Sequence, residues 1–407
     1  MNSQILNNPY YNYYTVNNIQ YPTKLFAKIA SESIEDRYPV SWNLPHFENA
    51  LDSLDLLQEP EESLSSLYLK RAEQLRNDYD HLVLHYSGGH DSHHILETFM
   101  FNGIFIDEIL VLEQFDRSFR KSLEDKNFDF LHQNAYEAEL AAIPLAKHFI
   151  ETYSPQTKLT VVENSFGIHA KYWISLSERD MYENLKSSGT LGMLGKTQIR
   201  TKDLNLYIPD LKKIKQNKRV AHIWGRDKVI LKYDDIGYFI IFADGSIVDF
   251  VDPYDSLTKD SLLQDIEFFY THPDHIKILV KQGHVLMSKL PFYKVNNGNK
   301  ALNRAYENLV ASIIYDRKIP APYLGLKSGD FNSWSDSLYD KDIKKWQLNI
   351  FNMAELVLFK NLDTTIFEKF NLQAKIIGNL MNKPYSKVEK CMSDSYSTKK
   401  YYIKYFD

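Results

Sequence analysis

The sequence predicts an α/β fold: an open, doubly wound, mostly parallel sheet with N- and C-terminal additions. Three observations carry that expectation. A short apolar run, residues 81–86 (HLVLHY), leads straight into the glycine pair Gly88-Gly89. A helical pattern and a second apolar run over 106–112 follow, so strand, loop, helix and strand fit in about thirty residues, the size of a βαβ unit. A second helix-then-strand alternation occupies residues 135–163.

Taken in order, residues 1–50 are rich in Asn, Tyr and Pro and read as irregular chain with short strands. Leu51, Leu54, Leu57, Leu64, Leu67, Tyr68 and Leu75 recur near helical spacing, which predicts one or two helices before the sheet. Residues 81–86 then read as a buried strand. Asp91 or Ser92 is placed to cap the next helix, whose core face carries Ile95, Leu96, Phe99 and Met100. Asn102-Gly103 ends it. Residues 135–150 read as a helix that Pro144 kinks or breaks, and residues 159–163 as the next strand.

Residues 165–225 read as helical or irregular, with Tyr172, Trp173, Tyr182 and Trp224 as core anchors. VILKYDD, YFIIFAD and SIVDFVD, between 228 and 252, predict three short antiparallel strands separated by Asp- and Gly-bearing turns. Residues 300–407 mix helices with polar turns, and Lys399-Lys400-Tyr401-Tyr402 reads as a solvated tail, with contact to RNA as the other reading. The expected division is an N-terminal extension (1–77), a nucleotide-binding domain (78–230) and a C-terminal substrate-binding or lid region (231–407).

Bulk properties narrow the function. The 407 residues carry a formal net charge of -5, which gives no whole-protein attraction to nucleic acid or to anionic membranes. No apolar run approaches bilayer length, and the first residues lack a secretory pattern, so the expected compartment is the cytoplasm. A single cysteine, Cys391, excludes an intrachain disulfide and a cysteine-rich zinc site. The oligomeric state stays open, a homo-oligomer included.

Chemistry concentrates in Ser87-Gly88-Gly89-His90-Asp91-Ser92. Two glycines after a buried strand let the backbone turn tightly and bring its N–H groups close to an anion. The following helix adds its positive end, and Ser87 and Ser92 offer hydroxyls to phosphate oxygens. Asp91 would repel a polyphosphate unless Mg²⁺ lies between them, so a magnesium-bridged polyphosphate accounts for the whole hexamer. GxGxxG and GxxxxGK[ST] are both absent, and GMLGKT at 192–197 lacks the first glycine at the required spacing. His90, His93 and His94 read as surface or helix-face residues, and His93 and His94 point in different helical directions, against a zinc triad. His222, His272, His275 and His284 are candidates for substrate contact.

The hexamer resembles the SGGxDS signature of the PP-loop, or N-type, ATP pyrophosphatases, over roughly residues 78–230. The overall texture is similar to a phage and bacterial branch of that superfamily. The resemblance implies a PP-loop (HUP-like) sheet and ATP with Mg²⁺. It also implies adenylation of a substrate oxygen with release of pyrophosphate, then attack by ammonia or an amine. It assigns phosphate binding to Ser87, Gly88, Gly89, His90 and Ser92, magnesium to Asp91, and an adenosine contact to Glu113. Lys196 or Lys228 would meet the charge on the leaving pyrophosphate. Departures narrow the branch. Asn2 follows Met1 and no cysteine precedes 391, so the N-terminal-cysteine glutaminase of the amidotransferases is lacking, and sulfur transfer loses its usual nucleophile. The expected substrate is a small molecule or a modified nucleotide. An RNA-modifying enzyme with the same adenylation and a non-catalytic ATP-binding partner protein remain as alternatives.

Overall fold

The computed structural model describes residues 8–32, 39–113, 138–163, 175–182, 218–225, 228–244, 266–290, 304–315 and 396–406, with a few single positions between 372 and 379. The chain begins with β1 (Tyr13–Val16), β2 (Ile19–Tyr21), α1 (Lys24–Glu32), β3 (Val40–Asn43), α2 (Pro45–Asp52) and α3 (Leu64–Asp78). Next come β4 (His81–His85), α4 (His90–Phe101), β5 (Glu108–Leu112), a π-helical turn (Ala138–Ala142), α5 (Ile143–Tyr153) and β6 (Lys158–Val162). Then follow β7 (Val220–Trp224), β8 (Ile230–Tyr233), β9 (Gly237–Ile241), β10 (Ile266–Phe268), α6 (Lys277–Lys289), α7 (Arg304–Ile314) and β11 (Tyr401–Tyr405).

The main sheet has the order β10-β7-β4-β5-β6, and every pair in it is parallel. The fold is therefore mixed α/β around a five-stranded parallel sheet. β4 is central: the chain adds β5 and β6 on one side, then returns to add β7 and β10 on the other. The fifth strand comes from beyond residue 230, so the sheet draws on sequence assigned above to the C-terminal region. Leu82, Leu84, Ile95, Leu96, Phe99, Ile109, Val111, Ala221 and Ile223 belong to one continuous apolar core. Val83, Leu110 and Val220, which point the other way along the same strands, are buried too. Burial on both faces explains why these strands read as apolar runs.

Two smaller sheets flank this one. β2-β1-β3 is antiparallel, and its hairpin turn places Asn17 and Asn18 at φ 48° and 61°, the positive values that a two-residue turn demands. β8 and β9 form the expected antiparallel hairpin. Their third partner is β11, from the far end of the chain, paired antiparallel with β9. Residues 399–402, read above as a solvated tail, instead lead into this strand, with Tyr401 and Ile403 buried. The SIVDFVD segment lies outside the described residues.

Local punctuation follows the sequence with small shifts. Pro144 sits in the first turn of α5, after the π-helical turn, where its missing N–H costs nothing. Gly103 follows α4 at φ +67°, and Asn102 is its C-cap. The cap at the other end differs from expectation. Gly89 is the N-cap of α4, and neither Asp91 nor Ser92 caps it. α2 ends at Asp52, which leaves Leu57 exposed outside any helix.

Charges inside the fold act as ties. The Arg71 guanidinium on α3 is fully buried, 2.6 Å from Glu267 of β10, and it also donates to the Phe268 carbonyl at 3.1 Å. Tyr79 donates to the other Glu267 oxygen at 2.5 Å. On the other side of β4, at the start of β5, Glu108 is 1% exposed. Burial alone would raise its pKa, but the His81 ring 3.6 Å away, the bond from Thr160 and the Lys158 ammonium outweigh this and hold it at about 2. A carboxylate depressed from 4.5 contributes stability that is present above pH 4.5 and is lost as the pH falls toward 2. Its full contribution is at most about 3 kcal/mol. Glu108→Gln is therefore expected to lower the urea midpoint at pH 7, with a gap to the parent that narrows by at least half at pH 3. A gap independent of pH would show that this carboxylate does not carry the acid sensitivity.

Candidate functional site

β4 and β7 are neighbours at the point where the order of strand addition reverses, and in open parallel sheets ligands bind outside the C-terminal strand ends at such a point. Ser87 to Ser92 connect β4 to α4 at this point. Gly88 takes φ +76°, a conformation that side chains oppose, and a Cβ there would lie 3.1–3.3 Å from Ala142. From the β7 side Gly225 packs flat on the start of α4. A Cβ there would lie 2.8 Å from the Ser92 nitrogen and 2.9 Å from the Asp91 carbonyl carbon. The two glycines thus allow a close approach of three backbone segments.

The loop is closed by its serines. The Ser92 hydroxyl accepts from the Ser87 N–H at 3.2 Å, lies 3.2 Å from the Ser87 hydroxyl and donates to the Gly89 carbonyl at 3.3 Å. The Ser87 hydroxyl accepts from the Gly89 N–H at 3.3 Å. Ser87 is exposed, Gly88, Gly89 and His90 are half-buried and Ser92 is buried. The first-turn N–H groups of any helix have no acceptor within it, and here that turn begins with His90 and Asp91.

Asp91 is the electrostatic centre. Its Oδ1 lies 3.0 Å from the Lys228 ammonium and accepts a 2.7 Å bond from the Tyr315 hydroxyl. Its Oδ2 has no partner among the described residues, and the side chain keeps 26% of its exposure. The Asp91 carbonyl accepts from the Tyr270 hydroxyl at 3.0 Å, and that hydroxyl also meets His94 Nδ1 at 2.8 Å. Tyr315 is stacked on His94, with ring centroids 4.4 Å apart, and on Tyr270 at 5.2 Å. Burial first, and the Asp91 charge second, push the Tyr315 phenol well above its usual pKa, so it remains a donor.

Behind the loop, His85 of β4 lies parallel to Trp224 of β7 with centroids 3.7 Å apart. His85 Nε2 meets His222 Nδ1 at 3.0 Å. Burial, then the neighbouring His222, lower the His85 pKa far below its ordinary value, so the ring is neutral. These rings tie β4 to β7 behind the loop.

Of the residues expected at the site, Ser87, Gly88, Gly89, His90, Asp91, Ser92 and Lys228 come together. Glu113 is buried just past β5, on the same edge of the sheet, with its N–H bonded to the Val162 carbonyl. Lys196 lies outside the described residues, as do the 192–197 segment and Cys391. His93 and His94, read as surface or helix-face residues, are buried, at 0% and 3% exposure. Three of the four histidines named as candidates for substrate contact make contacts within the fold. His284 bonds the Leu56 carbonyl, His272 caps the turn Pro273–His275, and His222 backs His85.

The sequence reading missed Tyr270, Tyr315, His85 and the supporting role of Trp224. For His85 and Trp224 a signal existed: each stands at or next to the end of an apolar run followed by glycine. Tyr270 and Tyr315 carry no local mark.

The residues fit a magnesium-bound polyphosphate on two observations. The glycine turn leads directly into α4, whose first-turn N–H groups have no acceptor within the helix. The acid at the helix start presents one oxygen with no partner among the described residues while the other is held by a cation and a phenol. Among the described residues no three His, Cys, Asp or Glu side chains gather as a separate metal site, and no helix is long and apolar enough to cross a membrane. No protein-family model, no curated protein and no solved structure matches the chain.

Proposed function

We propose that this chain is an AMP-forming ligase of the ATP pyrophosphatase type, binding MgATP at the C-terminal ends of β4 and β7. The observation that carries the reading is the Lys228–Asp91 pair at the start of α4, directly beside the Ser87–Ser92 loop. A helix N-terminus and a glycine turn favour an anion. An acid at the same spot makes sense if a cation accompanies that anion. Cleavage between the α- and β-phosphates rests on the likeness of Ser87-Gly88-Gly89-His90-Asp91-Ser92 to the SGGxDS signature. The sheet order, with its reversal beside this loop, supports the PP-loop reading further.

In this reading Ser87, Ser92 and the N–H groups of Gly88, Gly89 and His90 bind phosphate oxygens. The two serine hydroxyls satisfy each other in the free protein and rotate toward phosphate when it enters. Asp91 directs Oδ2 to the metal, which when bound neutralises charge on the polyphosphate. Lys228 reaches its flexible stem from Oδ1 toward the phosphates and meets the charge that develops on departing pyrophosphate. An acceptor oxygen bonds to the α-phosphorus as the bond to the β-phosphate oxygen breaks. Ammonia or an amine then displaces AMP from the adenylate. The chain supplies position and electrostatics, with no covalent nucleophile of its own.

The test is product analysis with ATP labelled at the α-phosphate, in magnesium, with a fractionated small-molecule extract as the source of acceptor. AMP and pyrophosphate in equal amounts are expected. ADP and phosphate as the sole products would overturn the proposed cleavage site.

A further inference from the structure

The Asp91 carboxylate is unusual in having its two oxygens treated differently. Oδ1 is held twice, by Lys228 at 3.0 Å and by Tyr315 at 2.7 Å, and Oδ2 has no partner among the described residues. The two holders differ in stiffness. Lys228 is a long aliphatic stem with a single ammonium, free to turn to a competing anion. Tyr315 is fixed. It is 3% exposed and stacked on both His94 and Tyr270, which also stack on each other, with Tyr68 6.3 Å away. Its backbone is anchored too, since its N–H bonds the Ala311 carbonyl.

Divalent cations use a carboxylate in two ways. Mg²⁺ is small, demands near-octahedral coordination and takes one oxygen. Ca²⁺ is larger and readily takes both oxygens of one carboxylate, which raises its ligand count. A carboxylate with one oxygen engaged by a rigid donor has less capacity left on that oxygen, so it favours the first mode over the second. When Lys228 turns toward a bound polyphosphate, Tyr315 alone keeps Oδ1 occupied.

We propose that Tyr315 is a specificity-determining positioning residue that makes the site prefer Mg²⁺ to Ca²⁺ by biasing Asp91 toward one-oxygen coordination. The proposal rests on the reading of the loop and its surroundings as a metal–nucleotide site. Tyr315 acts through Asp91 and touches neither metal nor nucleotide.

The experiment measures binding, not turnover. A non-hydrolysable ATP analogue, with a methylene between the α- and β-phosphorus atoms, is titrated calorimetrically in saturating Mg²⁺ and then in saturating Ca²⁺. The parent, Tyr315→Phe and Tyr68→Phe are compared. Tyr315→Phe keeps the ring stack and removes only the hydroxyl. Its preference for Mg²⁺ over Ca²⁺ should fall about tenfold, the size of one hydrogen bond to a charged group. Tyr68→Phe removes a hydroxyl from the same cluster, one bonded to the Ile314 carbonyl and to Gln282, and should leave the preference unchanged. Equal preference in the parent and Tyr315→Phe, with both binding the analogue, overturns the role of Tyr315 alone. An equal fall in both variants reduces it to general packing and also overturns it. A parent that fails to bind the analogue with either metal overturns the nucleotide-site reading, and this proposal with it.

Discussion

Asp91→Asn is expected to lower turnover by about 100-fold or more, comparable with the loss of one strong transition-state contact. The amide keeps the shape of the side chain, and its oxygen can still accept from Tyr315. It cannot supply a negative charge to a metal ion, and it leaves the Lys228 ammonium, 19% exposed, without its counter-charge. Folding should change little. Gly89 is the N-cap of α4, so no cap is lost, and the backbone bond from Tyr270 to the Asp91 carbonyl is untouched. ATP affinity without magnesium should stay level or rise, because a repulsive charge has gone and Lys228 is released toward phosphate. Affinity with magnesium should fall. The paired measurement is calorimetry with and without Mg²⁺ beside pyrophosphate release. Unchanged magnesium dependence together with unchanged turnover would remove Asp91 from the site.

Gly225→Val should abolish nucleotide binding at a moderate cost in stability. The position has no φ strain, so the argument is steric. Even a Cβ would stand 2.8 Å from the Ser92 nitrogen, 2.9 Å from the Asp91 carbonyl carbon and 3.0 Å from Ile95 Cδ1. Two of these are backbone atoms of the first turn of α4 and cannot rotate away. The helix start must lift off β7, which carries Asp91 and the loop with it. Overpacking of this kind costs about 1–3 kcal/mol. A displacement of about 1 Å in binding groups costs about 100-fold in function, so the loss of binding should exceed the loss of stability. Gly103→Ala is the matched comparison. Its φ of +67° opposes a side chain, but nothing lies within 4 Å of the new Cβ. It should cost about 1–2 kcal/mol in a denaturant melt and leave nucleotide affinity as it was. Equal effects of the two substitutions on affinity would show that close packing of β7 on the loop is immaterial.

Much of the central unit was legible because its determinants are local. β4, the glycine turn, α4 and β5 lie within residues 81–112, and each announces itself by apolar period, turn residue or helix stop. Pro144 marked the break between the π-helical turn and α5 for the same reason: ring geometry acts at its own position. The backbone course of the loop was legible as well, since glycine freedom and a helix start need no distant partner.

Other features were hidden because only tertiary packing creates them. β7 is five residues behind a basic segment, and β10 is three residues beside Phe269 and Tyr270, too short for any periodicity to speak. Each becomes a strand because a neighbour offers a parallel edge and burial. β11 looks polar and tail-like, yet it completes a sheet begun at residue 230, since strand pairing rewards backbone groups whatever their separation in sequence. His93 and His94 occupy a helix face that is buried because α4 is wrapped on several sides, a condition that amphipathic reading cannot foresee. The sequence by itself determined the α/β class and the strand, glycine turn and helix of residues 81–101. Only the tertiary structure decided that Lys228 meets Asp91 and that a tyrosine 224 residues away holds the same oxygen. Such contacts depend on how whole elements dock, and no local pattern encodes them.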